Sequence, residues 1–489
     1  MGVLENQKVI PSGNGFSFLE GFTKQIYGDR GGFGYNLERY FCSQEWHNAC
    51  RQVKSVEQVP LLTEAQLKQQ IQWETAMREK ALRIQRFVME YGEKVTDDDY
   101  CAIAGDMGLA PGRCPWEETL FPHVVDLWVS SEEEGQAIQK QVEAHKQTIA
   151  SMGNMMLDAL ADRQIISYSQ PGTNRLRAML SQGYARNYYR GENAFYGASR
   201  PSLFRNIPDD SMEATIHRVL GFTRLYEFSL WIEQMDCVRH WPYGDVFHGA
   251  VAQHYGIPTN GLDITSDFKV ALFFACCTFD KETNAWRPLK KSEFEFATSR
   301  PSVAKLGGDS RYGMIFSAPV DLSLMSKTLN DPRLHLTCPT PVGYQPFMRC
   351  DHQSAYIIEA GEPYDLYLDA TFSKYRFQLT EDLCQWIFRE MENGLAIYPN
   401  EGLAGCSTVI NDMKQLKQYS KVALEAAIQG FVPTLSVEEA ITALEARGHI
   451  CKQTVQWCSN EILEQINAQY SKFNSVEDSA SRVRFEFSI

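Results

Sequence analysis

The sequence lacks the long apolar run that a membrane-spanning helix requires. Its strongest apolar run is VALFFACC, the eight residues Val270 to Cys277, whereas a helical span needs about 20 apolar residues. The first ten residues have neither the basic region nor the apolar core of a secretory signal, and Asn6 stands where a myristoylation signal has Ser or Thr. We therefore expect a protein of the cytoplasm that has no membrane partner.

The sequence is also poor in basic charge and in paired cysteine motifs. It has 47 Lys and Arg against 61 Asp and Glu, so its formal net charge is -14. This balance disfavours nucleic-acid binding by general electrostatics, which needs an excess of positive charge. The 13 cysteines are scattered without a CxxC motif, which is typical of reduced thiols rather than a disulfide framework. No Cys and His spacing matches a common zinc site, and we expect no metal.

What the chain does have is the length and composition of a globular protein. Its 489 residues suggest two to four domains at about 150 residues per domain. Hydrophobic residues make up 44% and charged residues 22%, values that exclude disorder of the whole chain. Stretches of helical apolar spacing begin at three capping boxes: Thr63 with Gln66, Ser131 with Glu134, and Ser436 with Glu439.

Strand signals are concentrated in the middle of the chain. The runs YGMIFSAPV (312–320) and SAYIIEA (354–360) are rich in β-branched and aromatic residues, which favours strands. The sequence therefore predicts an α+β protein. We expect a mostly helical region over 1–150, a mixed domain over 151–410 and a helical region over 411–489.

The first stretch that indicates a binding site is YYRGE, Tyr188 to Glu192, which is followed by RPSLFR, Arg200 to Arg205. We expect Arg190 at a strand end, beside a glycine that lets a ligand approach the backbone closely. A guanidinium group suits carboxylate or phosphate, because its planar fork donates two hydrogen bonds at once. The alternative is a buried structural arginine that is paired with an acidic residue.

Three further stretches carry polar groups on loops. The segment QHYGIPTNGLDITSD, Gln253 to Asp267, collects His, Tyr, Asp, Thr and Ser just before an apolar run, and such rigidly anchored loops are common sites. Alternatively, Thr265, Ser266 or Asp267 caps the helix that VALFFA begins, and both interpretations can hold. The segment RCDHQSAY (349–356) enters a strand, and IYPNEGLA (397–404) is typical of a turn that leads into a helix.

Four motifs resemble, in their order along the chain, those of the FRG domain family, which is named for its aromatic-Arg-Gly motif. They are YRGE, QHYGIPTNGLDITSDFKVALFFA, RCDHQSAYI and YPNEGLAG. The resemblance covers about residues 185 to 410. The layout is in turn similar to that of ADP-ribosyltransferases, in which an arginine holds NAD, a Ser or Thr orients the nicotinamide ribose, and a Glu or Gln stands by the reacting carbon. The resemblance implies a central split-sheet, ADP-ribosyltransferase-like domain flanked by helical regions.

By position, the resemblance implies that Arg190 anchors NAD, that Thr265 orients the ribose and that Gln353 takes the third-strand position. A glutamine cannot serve as a general base. Either another group supplies that role (Glu192, Glu359, Glu401 or His254), or the site binds without reacting. The residues implied for the reaction are Arg190, Thr265, Gln353, His254 and Glu401. Those implied for NAD binding are Arg190, Gly191, Glu192, Tyr255, Asp263 and Arg349.

The function implied by the resemblance is NAD-dependent ADP-ribosyl transfer or NAD glycohydrolysis, in a toxin or a phage-defence effector. NAD is then a substrate, and a macromolecular acceptor or partner protein is expected. The alternative is a non-catalytic module that senses a nucleotide or a partner in a defence or signalling system.

Overall fold

A computed structural model describes most of the chain after residue 186 and shorter pieces before it. The described residues are 53, 55–72, 74–75, 165–170, 175–180, 187–239, 246–280, 282–283, 285–319, 331–337, 339–342, 345–347, 349–399, 402–433 and 435–470. The capping box expected at Ser131 and the site residue Glu401 lie outside them. Within these segments, no helix combines the length and the apolar character needed to cross a bilayer.

Strands occur along the whole described chain. They are β1 (Leu61–Leu62), β2 (Ile165–Gln170), β3 (Arg175–Leu180), β4 (Asn187–Glu192), β5 (Gly261–Thr265), β6 (Cys277–Asp280), β7 (Ala285–Pro288), β8 (Tyr312–Pro319), β9 (Thr340–Pro341), β10 (Ala355–Glu359), β11 (Ser373–Gln378), β12 (Gln418–Ser420) and β13 (Ile450–Lys452). Seven of them form one sheet in the order β1-β11-β8-β4-β5-β10-β9. The β1–β11 pairing is parallel and the other pairings in this sheet are antiparallel, so the sheet is mixed.

Within the described residues, the helices lie mainly in the second half of the chain. They are α1 (Ser211–Ile232), α2 (Asp236–Arg239), α3 (His248–His254), α4 (Phe268–Cys276), α5 (Pro301–Ala304), α6 (Arg349–His352), α7 (Glu381–Glu390), α8 (Ser407–Gln415), α9 (Lys421–Phe431), α10 (Val437–Glu445) and α11 (Asn460–Tyr470). Residues 64–72 are helical as well. The predicted mixture of helices and strands is confirmed.

Local sequence signals explain several element boundaries. Thr63 and Gln66 form their capping box, with the Thr63 N–H donating to Gln66 Oε1 at 2.9 Å. The box at Ser436 and Glu439 is present too, at the start of α10. Asp267 is the residue that caps α4, because its Oδ1 accepts from the backbone N–H of Lys269 at 2.8 Å. The other two candidates, Thr265 and Ser266, are therefore not the cap of α4.

Helix α4 packs against strand β4, and Gly191 makes this contact possible. A Cβ atom at Gly191 would lie 1.7 Å from the carbonyl oxygen of Ala271, far inside van der Waals contact. The glycine was expected to give a ligand access to the backbone. The structure gives a different reason for it, since a helix backbone occupies the space that a side chain would need.

The C-terminal helices pack on α1. The rings of Phe222 on α1 and Phe431 on α9 stack with their centroids 3.7 Å apart. Glu227, which is buried in α1, accepts a hydrogen bond from the Trp457 indole at 2.7 Å and another from the backbone N–H of Ser420. Helix α1 thus connects the sheet domain to the C-terminal helices.

Candidate functional site

The central sheet opens between two of its inner strands. Strand β4 pairs with β8 along its whole length, and β5 does the same with β10. Strands β4 and β5, in contrast, are paired only at Tyr189 and Thr265. Beyond this pair, the residues of the two strands line a cavity of about 540 Å³. The cavity is large enough for a small organic ligand.

Most of the predicted site residues meet in this cavity. Those that line it are Arg190, Gly191, Glu192, His254, Asp263, Thr265 and Gln353. Tyr255 and Arg349 do not line it, and Glu401 lies outside the described residues. The first two polar motifs converge because they form the neighbouring strands β4 and β5 with their flanking loops.

Arg190 bridges the opening between the strands. Its Nη1 donates to the carbonyl oxygen of Asp263 on β5 at 2.7 Å, and its Nε donates to Glu192 Oε1 at 3.1 Å. The side chain is only 16% exposed. Two of the five N–H donors of this guanidinium are therefore used in holding β5 and in orienting Glu192.

Glu192 presents a buried carboxylate to the cavity. One oxygen, Oε1, accepts hydrogen bonds from Arg190 and from Ser199 Oγ, the latter at 2.6 Å. The other oxygen, Oε2, is buried and has no hydrogen-bond partner among the described residues. A buried carboxylate oxygen without a donor is costly. Glu192 lines the cavity, so a small rotation of its side chain would offer this oxygen to a ligand hydroxyl, an amide N–H or a positive charge.

His254 and Asp263 form a second polar pair in the cavity. His254 Nε2 lies 3.9 Å from Asp263 Oδ1, which is too long for a hydrogen bond, and neither atom has another partner in the part of the chain described. Burial lowers the pKa of His254 below its ordinary value, although the Asp263 carboxylate and the Gln353 side chain oppose this shift. At neutral pH the imidazole is therefore uncharged and can accept a proton.

Thr265 and Gln353 are tied to the protein itself. The Thr265 hydroxyl donates to the backbone carbonyl of Gln353 at 2.7 Å and accepts from the Asp267 N–H at 3.0 Å. The Gln353 amide donates to the Ile397 carbonyl at 3.0 Å. Gln353 was placed by resemblance on a third strand. It lies instead in the turn between α6 and β10, because residues 349–352 are helical and Ser354 has a φ of 46°.

Arg349 and Tyr255 support the site from behind. The Arg349 guanidinium lies between two aromatic rings, 4.0 Å from the centroid of Tyr255 and 3.3 Å from that of Tyr398. Its Nη1 also donates to the His254 carbonyl at 3.3 Å. The side chain is buried. As placed, this arginine fixes the backbone of His254 and does not reach the cavity.

Aromatic and basic residues that were not assigned to the site complete its walls. Phe274 and Trp286 line one side, with ring centroids 5.3 Å apart. Arg200 and Arg205 also line the cavity. The two arginines were visible as part of RPSLFR. The aromatic residues gave no signal, because a Phe in an apolar run is indistinguishable from a core residue.

The comparison with protein families identifies one domain in the chain. Residues 185–284 match the family model of the FRG domain. The chain contains an FRG domain. The matched segment runs from β4 through β6 and holds the first two motifs, with Arg190, Glu192, His254, Asp263 and Thr265. No curated protein and no solved structure matches the chain.

A residue far outside the matched segment also contributes to the FRG domain. The carboxylate of Glu74, which is buried, accepts a hydrogen bond from the Tyr189 hydroxyl. Its second oxygen accepts from the backbone N–H of Phe268 at 3.2 Å, at the start of α4. Burial and the Glu74 carboxylate together raise the pKa of Tyr189 well above its ordinary value, so the phenol stays protonated as a donor. Glu74 thus joins β4 to α4 beside the cavity.

We expect Glu74→Ala to lower the free energy of unfolding by about 2–4 kcal/mol, because it leaves the buried Tyr189 hydroxyl and the Phe268 N–H without their acceptor. Urea denaturation followed by circular dichroism measures this change. The matched control is Glu64→Ala, which removes an exposed carboxylate that pairs with Lys68 at 2.7 Å. It should cost no more than about 0.5 kcal/mol. Equal effects of the two variants would contradict the role given to Glu74.

Proposed function

We propose that the FRG domain of this protein binds NAD in the cavity between β4 and β5 and cleaves its nicotinamide–ribose bond. The products are then nicotinamide and either an ADP-ribosylated acceptor or free ADP-ribose. Glu192 carries this proposal, because it lines the cavity and its buried Oε2 has no hydrogen-bond partner in the described chain. The opening of the sheet at this point is also what a split-sheet, ADP-ribosyltransferase-like domain requires.

The proposed reaction uses groups that already meet in the cavity. The bond between C1′ of the ribose and the nicotinamide nitrogen breaks, and its electron pair leaves with nicotinamide. The positive charge that develops on the ribose is stabilised by the Glu192 carboxylate. A hydroxyl of the acceptor, or water, then bonds to C1′ and gives its proton to the pair formed by His254 and Asp263. Phe274 and Trp286 offer faces on which a planar ring can stack.

A bridging water fits the spacing of the His254–Asp263 pair, since its two protons can serve both acceptors, whereas an alcohol hydroxyl has only one. An oxygen placed about 2.8 Å from each atom bridges the 3.9 Å gap between His254 Nε2 and Asp263 Oδ1. Asp263 then accepts a hydrogen bond from the bridging water. After the His254 imidazole has taken the proton, the Asp263 carboxylate stabilises its positive charge. This arrangement makes up for the lack of an acid at Gln353.

Replacement of Arg190 tests the proposed function. We expect Arg190→Ala to lower nicotinamide release from NAD by at least about 100-fold, because the variant loses both the orientation of Glu192 and the bridge to β5. Labelled NAD is incubated with purified protein, alone and with cell lysate, and both nicotinamide release and transfer of label are followed. Arg190→Lys should not restore turnover, since an ammonium group cannot make both contacts at once.

The matched control is Arg333→Ala, which removes the same charge from an exposed ion pair with Asp331 that does not line the cavity. It should retain the turnover of the unmodified protein. Nicotinamide release by Arg190→Ala at that same rate would contradict the proposed function. The labelled lysate fraction would identify the acceptor as protein or nucleic acid.

The biological setting that we propose is a toxin or a phage-defence effector of the cytoplasm. Production of the unmodified chain should then stop host-cell growth, while production of Arg190→Ala at the same level should not. Equal growth of the two strains would argue against this biological setting. The proposed enzymatic activity would then be decided by the assay with labelled NAD alone.

A second function is favoured by the contacts of Thr265 and Gln353. Both side chains are occupied within the protein, so neither is free to orient a reacting ribose without rearrangement. A domain of this kind can sense a nucleotide or a partner without catalysis. In that case NAD would raise the thermal stability of the protein, and no nicotinamide would be released.

A further inference from the structure

Three arginines of the described chain line the cavity, and they differ in the protein groups with which they are already paired. Arg190 is paired with Glu192 at 3.1 Å and also donates to the Asp263 carbonyl. Arg200 lies 3.6 Å from Asp365 and is about half exposed, at 46%. Arg205 makes one side-chain hydrogen bond, from its Nε to the Arg200 carbonyl at 2.9 Å. Within the described residues, its two terminal nitrogens have neither a hydrogen bond nor an ion pair.

The backbone that carries Arg205 is firmly anchored. Arg205 directly follows the 3₁₀ turn Ser202–Phe204. The Leu203 N–H donates to the Thr259 carbonyl at 3.0 Å, and the Thr259 N–H donates to Ser202 Oγ at 3.0 Å. These bonds fasten the turn to the loop that leads into β5. These bonds hold the Cα of Arg205, and the bond from its Nε to the Arg200 carbonyl holds the guanidinium beside the cavity, which lowers the conformational cost of binding.

Charge is divided along the depth of the cavity. The carboxylates of Glu192 and Asp263 each have a buried oxygen without a partner among the described groups. Such oxygens repel an anion and attract hydrogen-bond donors. The Arg205 residue is exposed at the surface, although neighbouring protein atoms desolvate its guanidinium and lower its pKa, and it lies within electrostatic range of Arg190, Glu192 and Asp263. A ligand that suits both ends has hydroxyl groups inside and a negative charge at the exposed end.

Phosphate is the anion that this end fits best. A guanidinium fork donates two parallel hydrogen bonds to a phosphate, which are shorter and stronger than bonds between neutral groups. Phosphate esters of ribose combine the required parts, since their hydroxyl groups and their phosphate are separated by only a few bonds.

We propose that Arg205, supported by Arg200, forms a phosphate-binding subsite at the mouth of the cavity, and that Arg190 positions Glu192 instead of holding the phosphate. This inference rests on the proposed function only in taking NAD as the natural ligand. The subsite itself requires a phosphate or diphosphate group in whatever ligand the cavity binds.

Titration calorimetry on the full chain tests the subsite with five probes: NAD, ADP-ribose, ADP, inorganic pyrophosphate and nicotinamide riboside, which has no phosphate. We expect Arg205→Ala to weaken binding of the four phosphate-bearing probes by about 10- to 100-fold. Binding of nicotinamide riboside should change by less than about twofold, because Arg205 contacts no part of it. Arg205→Lys should lie between these limits, and Arg333→Ala, the charge-matched control, should bind every probe normally.

The outcomes separate the subsite from the proposed function. If ADP binds in an Arg205-dependent way and NAD is never cleaved, the subsite stands and the proposed reaction fails. If NAD is cleaved and Arg205→Ala binds it unchanged, the reaction stands and the subsite fails. A uniform loss for all five probes would assign Arg205 a general structural role and overturn the inference. Failure of every phosphate-bearing probe to bind the unmodified protein would overturn it too.

Discussion

Glu192→Gln is expected to lower nicotinamide release from NAD by about 100- to 1,000-fold, the range typical for loss of one preorganised electrostatic group. The amide keeps the shape of the carboxylate and can still accept from Arg190 and Ser199. It loses the negative charge that stabilises the cationic ribose, so kcat should fall much more than KM rises. Steady-state kinetics of nicotinamide release would show this division.

Glu359→Gln is the matched control for this prediction. Glu359 is another glutamate considered for the same role, but it lies at the far end of β10, opposite Gly261, and does not line the cavity. Its replacement should leave turnover within about twofold, as is usual for a side chain outside the reacting groups. If Glu192→Gln released nicotinamide as fast as the unmodified protein, a group other than Glu192 would have to stabilise the cationic ribose.

Gly191→Ala should be the most destabilising single substitution among the site residues. The added Cβ would lie 1.7 Å from the Ala271 oxygen and 2.7 Å from the carbon of the same carbonyl. Both are backbone atoms of α4, so no side-chain rotation relieves the clash, and the helix has to move off the sheet. We expect a loss of at least about 3 kcal/mol in the free energy of unfolding.

Urea denaturation compares Gly191→Ala with Gly405→Ala. A Cβ at Gly405 meets no atom within 4 Å, so that variant should change stability by no more than about 1 kcal/mol. If Gly191→Ala were instead as stable as the unmodified protein and had lost NAD binding, the glycine would serve ligand approach, as expected from the sequence.

The parts of the fold that local signals determine could be predicted from the sequence. Strands β8 and β10 lie where β-branched and aromatic residues are dense, and their bounds differ from the expected ones by a residue at most. The helix start at Asp267 was narrowed to three candidates, since each of them is a good cap. The choice among these depended on the path of the chain out of β5, which no local pattern contains.

The candidate site was predictable where its residues share a motif. Arg190 and Glu192 lie on one strand, and Asp263 and Thr265 lie on its neighbour, so strand pairing alone brings them together. Gln353 was predicted on a strand because the strand signal of Ala355–Glu359 begins only two residues after it. The short helix α6, which ends just before Gln353, was not recognised beside that signal. Arg349 was expected in the cavity, yet two rings distant in sequence, those of Tyr255 and Tyr398, hold it elsewhere.

Glu74 shows why the rest of the site could not be predicted. It acts on Tyr189 from 115 positions away, and nothing in its own neighbourhood marks it as different from other helical glutamates. The same holds for Trp286, which reaches the cavity wall from β7. Side chains that act across such separations are selected by the packed structure, so their roles become visible only with the fold.

The contact between Glu74 and Tyr189 makes the matched segment depend on residues that lie outside it. Glu74 accepts a hydrogen bond from the Tyr189 hydroxyl, and Gln70 donates one to the same hydroxyl. A fragment limited to residues 185–284 would leave the Tyr189 hydroxyl and the Phe268 N–H without their carboxylate acceptor. The shortest piece of this chain that keeps the strand of Arg190 fully bonded therefore includes Gln70 and Glu74.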